Sequence, residues 1–262
     1  MTFFRRLAAA IVLLATFVSL QGCATTTSAP SSNTTTQTAV ITPAVLGGQR
    51  GQHTGNTVQA THGHQGDGHG GMTHRFTSPA QWANVFDDPA RDAWQKPDEV
   101  VALMGITSTM TVADLGAGTG YFIGRLDRAA ATGRVLAVDV EPSMVEYLEA
   151  RGQRDGWRNV AAHIATATDP TLPAAGVDRI LIVDVWHYLS DRAAYAAKIA
   201  QALKPGGAVF VVDFEMDSPM GPGKNHRILP RRLAADLQSA GLVTSMAIES
   251  LPNQYIIVGR KL

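Results

Sequence analysis

The chain has 262 residues, 22 of them basic and 22 acidic, and a formal net charge of zero. That balance supplies no basic stripe for nucleic acid and no field to hold an anionic membrane surface. The 45% apolar content is enough for one sizeable core, and the single cysteine, Cys23, excludes an intrachain disulfide.

At the N-terminus, Arg5 and Arg6 precede the apolar run Leu7–Leu20, interrupted only by Thr16 and Ser19. The run is too short for a membrane span and has the layout of a secretory signal. Leu20-Gln21-Gly22-Cys23 resembles a bacterial lipoprotein box, with Gln21 where small residues are commoner. The resemblance implies residues 1–22 as signal peptide and Cys23 as the lipidated N-terminus of a membrane-anchored chain. Ala24 after the cysteine points, by the same resemblance, to the outer membrane and a periplasm-facing domain. A misassigned start site would instead leave the protein soluble in the cytoplasm.

Residues 23–75 are rich in Thr, Ser, Gly and His, without a sustained period, and are expected to form a disordered tether. His53, His62, His64, His69 and His74 lie in it, in a Gly-rich coil able to chelate a transition metal. No second-shell framework accompanies them, so no metal site is assigned.

Organised sequence begins near Phe76. Residues 76–105 predict a helical cap of two or three short helices, the last opened by Pro97-Asp98-Glu99. Strands and helices then alternate: strand TVADL, helix YFIGRLDRAAA, strand RVLAVDV, helix PSMVEYLEARGQRD, strand NVAAHI, strand DRILIVDV, helix RAAYAAKIAQAL and strand GAVFVVDF. Helix PRRLAADLQSAG and the strands LVTSMAIES and QYIIVGRKL complete the succession. Several strands are continuous apolar runs, as when helices cover both faces. The expectation is an α/β fold with a doubly wound, mostly parallel seven-stranded sheet and an antiparallel pair at one edge.

The first strand runs into the glycine turn of VADLGAGTGYF. Gly116, Gly118 and Gly120 are spaced G-x-G-x-G, and Tyr121 stands where a dinucleotide fingerprint needs its third glycine. No Gly-Lys-Ser/Thr follows, so the turn is not a P-loop. A dehydrogenase is disfavoured by the spacing.

VADLGAGTG resembles the first motif of class I S-adenosylmethionine-dependent methyltransferases. VLAVDVEPSM resembles their second-strand motif, VDRILIVDVWHYL the fourth and LKPGGAVFVVDF the fifth. The likeness covers residues 97–262 and is greatest to the small-molecule branch. It implies S-adenosyl-L-methionine as cofactor, a small-molecule acceptor, and Asp139 as the acid that holds the ribose hydroxyls. Asp139 lies 23 positions after Gly116, and its carboxylate can accept from both hydroxyls at once.

Further cofactor contacts are expected from Asp114, Gly116, Ala117, Gly118, Gly120, Val140 and Asp184. Asp114 would accept from loop amides or act through water on the cofactor's ammonium group. The glycines would let the backbone pass under the methionine portion without a Cβ in the way. After the third strand the chain departs from the family's Gly-Asp-Ala-type stretch. Adenine recognition is open among Thr166, the backbone at Ala167, and Asp169.

His187 is the candidate general base, with a structural role as the alternative, and Asp184 a second candidate catalytic group. Trp186 and Tyr188 read as packing residues or pocket walls. Tyr188, Asp213, Lys224 and His226 are candidate acceptor contacts. The loop MDSPMGPGKNHRI, which also carries Arg227, reads as a substrate cover or a solvated loop. Cysteine-dependent methylations do not fit a domain that lacks cysteine, and the Asn/Asp-Pro-Pro-Tyr signature of nucleic-acid amino methyltransferases is missing. The alternative to an enzyme is a non-catalytic lipoprotein that keeps the fold and a nucleoside ligand.

Overall fold

A computed structural model describes residues 78–262. The signal segment, Cys23 and the histidines of the tether lie outside the described residues. Among the described residues no helix is long and apolar enough to cross a membrane, and no His/Cys/Asp/Glu group could hold a metal ion.

The cap comprises α1 (Pro79–Phe86), a 3-10 turn (Pro89–Arg91), α2 (Asp92–Gln95) and α3 (Pro97–Leu103). Prolines open three of the four, because a helix's first turn has no use for their missing N–H. Lys96 adopts a left-handed conformation (φ +44°) between α2 and α3 and turns the chain.

The α/β succession follows as β1 (Thr111–Leu115), α4 (Ile123–Ala129), β2 (Arg134–Asp139), α5 (Pro142–Asp155), β3 (Val160–Ile164) and β4 (Val177–Val183). It ends with α6 (Arg192–Ala202), β5 (Leu203–Phe214), α7 (Pro230–Ser239), β6 (Val243–Met246) and β7 (Gln254–Arg260). The seven strands form one sheet in the order β3-β2-β1-β4-β5-β7-β6. All pairings are parallel except those of β7, which runs antiparallel to both β5 and β6. The expected antiparallel pair is therefore present, with the reversed strand lying one position in from the edge.

The central strands are buried on both faces, as their unbroken apolar runs predict. One face packs Trp186, Tyr195, Ile199, Leu233 and Leu237 beneath α6 and α7. The other packs Val100, Met104, Ile123, Leu126 and Leu148 beneath α3, α4 and α5. Each such side chain contributes about 1.5–3 kcal/mol on burial. β5 starts at Leu203 and not at Gly207, because Leu203 pairs with Val177 before a register shift at Arg179. β6 is shorter than LVTSMAIES: beyond Met246 the pairing ends with Ala247 N donating to Ile256 O at 3.0 Å, and Ile248 is 96% exposed.

Strand order reverses between β1 and β4. The loops after β1, β2, β4 and β5 therefore gather at one carboxyl edge, where such sheets bind ligands.

Candidate functional site

The glycine turn directs its amides inward. Gly116 N and Ala117 N both donate to Val138 O, at 2.8 and 2.9 Å, and Gly118 N donates to Asp139 Oδ2 at 2.8 Å. Three successive donors are thus consumed by the end of β2, where a phosphate cradle would present them to a ligand. The turn shapes a surface and holds an acid.

All three glycines have positive φ, +80° at Gly116, +55° at Gly118 and +92° at Gly120. At two of them an added Cβ would also collide with protein side chains. A Cβ at Gly116 would lie 2.4 Å from Val185 Cγ2, and one at Gly120 would lie 2.8 Å from both Leu148 Cδ2 and Trp157 Cη2. These hydrogens make room for protein side chains. Gly118 faces the cap, with the Phe86 ring 3.5 Å from its Cβ position.

Asp139 is buried at the end of β2. Its Oδ2 accepts from Gly118 N and its Oδ1 from Glu141 N at 3.0 Å. Burial raises its pKa, and the backbone hydrogen bonds partly offset this. Each oxygen keeps a second lone pair, enough for two vicinal hydroxyls. Asp114, at the end of β1, is 3% exposed, and no hydrogen bond to its carboxylate is found among the described residues. Desolvation pushes its pKa up to about 7, with Arg91 opposing and Asp139 adding to the rise. The expected bonds from the loop amides to Asp114 are not made, because those amides serve Val138 and Asp139.

Ala165 N donates to Asp139 O at 2.8 Å, which sets the Thr166–Asp169 turn beside Asp139. Thr166 and Ala167 are exposed there. Asp169 is committed elsewhere, accepting from Thr171 N and pairing with Lys198 at 3.0 Å. Thr166 is engaged as well, its Oγ1 donating to Asp169 O at 3.3 Å and accepting from Asp169 N at 3.0 Å, beside the exposed Ala167.

A second cluster follows β4 and β5. His187 Nδ1 lies 2.9 Å from Asp213 Oδ1, and both side chains are buried. His187 Nε2 and Asp213 Oδ2 are buried with no hydrogen-bond partner. Asp184 has the left-handed φ of +59°, uncommon for a non-glycine residue and a frequent mark of a functional position. Burial pushes its pKa up to about 7. Val140 is half-buried after Asp139, and the Tyr188 ring lies tilted at 47° against His187 with ring centres 4.3 Å apart. Trp186 is fully buried packing, as expected.

Lys224 and His226 stand exposed on a 3-10 turn. Arg227 is half-buried. Its guanidinium donates to the carbonyls of Glu215, Met216, Ser218, Met220 and Pro222, folding the cover loop around itself.

The cap contributes residues the sequence reading passed over. Arg91, with a side chain 13% exposed, lies 3.7 Å from Asp184 Oδ2 and donates to Phe86 O and Gln95 Oε1. Gln95 Nε2 donates to Gln254 Oε1, and Gln254 Nε2 to Asp184 Oδ1, both at 2.5 Å. Gln95 and Gln254 are essentially inaccessible to solvent. Arg151 ties Asp87 to Thr119 O of the glycine turn. Polar residues in a short proline-punctuated segment give no periodic signal, which is why these were missed.

Residues 112–207 match the family described as methyltransferase domain. The chain is 38% identical over 104 residues to the methyltransferase tpcM of Aspergillus fumigatus, covering 40% of this chain and 31% of that one. It is 31% identical over 125 residues to an uncharacterized methyltransferase of Mycobacterium tuberculosis, with 48% of each chain covered. A demethylmenaquinone methyltransferase of Tropheryma whipplei is 30% identical over 112 residues, 43% of this chain and 45% of that one. The chain thus spans less than half the length of each of these three relatives. Among solved structures, a SAM-dependent methyltransferase from Aquifex aeolicus superposes with a TM-score of 0.66 at 24% identity, over 70% of this chain and 98% of that one. The domain has the Rossmann-like methyltransferase fold, and S-adenosylmethionine is the cofactor of such domains.

The residues present fit that cofactor. A glycine turn whose first three amides are spent on the end of β2 suits a ligand lacking phosphate, Asp139 has lone pairs to spare for a diol, and Asp114 is a buried acid without a hydrogen-bond partner among the described residues.

Proposed function

We propose that the protein transfers a methyl group from S-adenosylmethionine to a small-molecule acceptor bearing an ionisable N–H or O–H. The observation that carries this reading is the buried, unpartnered His187 Nε2 at the same carboxyl edge as Asp114 and Asp139. When bound, the cofactor supplies an activated methyl group on a sulfonium.

The chain's own residues do the rest. Asp139 holds the ribose hydroxyls, and Asp114 offers its charge to the ammonium group. Asp213 accepts from His187 Nδ1–H, which fixes the tautomer in which Nε2 carries the lone pair. Nε2 then takes the acceptor's proton as the heteroatom becomes a nucleophile. Tyr188 supports the imidazole face. The cap excludes water, since Phe86 covers the glycine turn and Arg91 and Gln95 reach Asp184 directly or through Gln254.

Calorimetry of the protein against S-adenosylmethionine, S-adenosylhomocysteine and NAD tests the reading. Binding of the first two and not of NAD is expected. Failure of both to bind refutes it. Transfer is then followed with methyl-labelled donor on a panel of phenols, quinols and amines.

We also propose that the chain is anchored through Cys23 in the cell envelope, facing the periplasm, on the lipoprotein-type pattern of Leu20–Cys23. Palmitate labelling lost in Cys23→Ser supports this, and equal labelling of both proteins refutes it.

A further inference from the structure

We propose that Arg91 of the cap binds the carboxylate of the donor's amino-acid portion, so that the cap is part of the donor site as well as its cover. The assignment rests on the methyl-transfer reading above.

The Arg91 guanidinium sits at the mouth of the glycine turn. Its centre lies 4.1 Å from the ring centre of Tyr121, the residue after Gly120, and 5.8 Å from that of Trp94. This stacking fixes the plane of the fork. Nη1 is aimed by Phe86 O at 2.9 Å, while Nε and Nη2 are aimed by Gln95 Oε1 at 3.2 and 3.0 Å. The contact with Asp184 is different in kind. At 3.7 Å it is an ion pair without hydrogen-bond geometry, and Asp184 already has the Gln254 amide on its other oxygen. A pre-aimed guanidinium with one loosely held edge is built to accept another carboxylate, bidentate and charge-assisted.

Charge complementarity says which one. The buried acids at this edge are Asp114, Asp139, Glu141 and Asp213, with Asp184 beside them, and Arg91 is the cation whose charge acts on both Asp114 and Asp184. An α-amino acid brings one ammonium and one carboxylate. Asp114, with no hydrogen-bond donor among the described residues, takes the ammonium, and Arg91 takes the carboxylate. Asp114 and Arg91 then each face an opposite charge, as low-dielectric sites require.

The test compares S-adenosylhomocysteine with its decarboxylated analogue, which keeps the adenosine, thioether and ammonium. Calorimetry is run on the full chain and on Arg91→Met and Arg91→Lys. Expected in the wild type is a preference of about 10- to 100-fold for the ligand with the carboxylate, the range for one buried charge-assisted pair. Arg91→Met abolishes the preference while its affinity for the decarboxylated analogue stays unchanged, which also shows that the variant is folded. Arg91→Lys restores part of the preference, since it keeps the charge and loses the fork. An equal loss for both ligands in Arg91→Met, or no loss for either, overturns the assignment and leaves Arg91 a clip for the cap. Wild-type protein that binds neither ligand overturns the methyl-donor reading, and the assignment with it.

Discussion

His187 and Asp213 form a buried pair 2.9 Å apart that spends one nitrogen and one oxygen on each other and leaves the remaining two without partners. Buried polar groups are rarely left so, because each costs about 1–3 kcal/mol. The arrangement makes sense where a substrate supplies the missing donor. His187→Gln should lower methyl transfer by about 10²- to 10⁴-fold, the range for a positioned general base, while S-adenosylhomocysteine affinity stays at the wild-type value. Asp213→Asn should act in the same direction and by less. Rapid-quench single turnovers with labelled donor measure both. Unchanged turnover in His187→Gln would leave the imidazole a structural role only.

Asp139 has a double task, since the two oxygens expected to meet the ribose also hold Gly118 N and Glu141 N. Asp139→Asn should weaken S-adenosylhomocysteine binding by about 10- to 100-fold, as one charged acceptor is replaced by a donor. Adenine alone lacks the ribose, so its binding should not change. A uniform loss for both ligands would mean that the turn had collapsed and would remove the diol assignment.

Asp114 makes a prediction about stability and pH. Its pKa is raised to about 7 in the folded protein, against an ordinary carboxylate value in the unfolded chain. Between those values the folded state binds the extra proton, so this group's contribution becomes less favourable as pH rises toward 7, and constant above it. Asp114→Asn cannot titrate. Its stability relative to wild type should therefore increase from pH 4 to pH 7, by on the order of a few kcal/mol, and then level off. Paired urea melts at several pH values check the sign. A difference that is flat, or that falls with pH, contradicts the burial account.

The glycine turn distinguishes packing from ligand access. Gly120→Ala should destabilise by about 2–4 kcal/mol, because its methyl meets Leu148 and Trp157 at a left-handed φ. Gly118→Ala, with 3.5 Å of clearance to Phe86, should cost about 1 kcal/mol. Equal losses in equilibrium unfolding would show that conformation, and not the Trp157 slot, requires Gly120.

Much of this was legible in the chain. The unbroken apolar strands announced a sheet covered on both faces, and RVLAVDV placed Asp139 at the end of the second strand, beside the glycine turn. What escaped reading was long-range and polar. Nothing local in WQKPDE or PNQYII says that Gln95 and Gln254 will meet 2.5 Å apart across the whole domain. Nor does GAGTG reveal that Trp157, more than 30 residues on, needs the space above Gly120. Helical and strand periods encode which face is buried, whereas the partner of a lone polar side chain is decided by topology. Arg227 shows the same limit. In sequence it is a charge on a loop, and in the fold it is the post around which five carbonyls are wound.

The strand order has a consequence for how the molecule comes into being. β6 precedes β7 in the chain yet pairs only with β7, which inserts between it and β5. A ribosome delivers β6 before there is anything for it to join. The same last strand carries Gln254, which fastens the cap to Asp184. A nascent chain halted ahead of β7 would lack the Gln254 bridge and leave β6 with no strand to pair with.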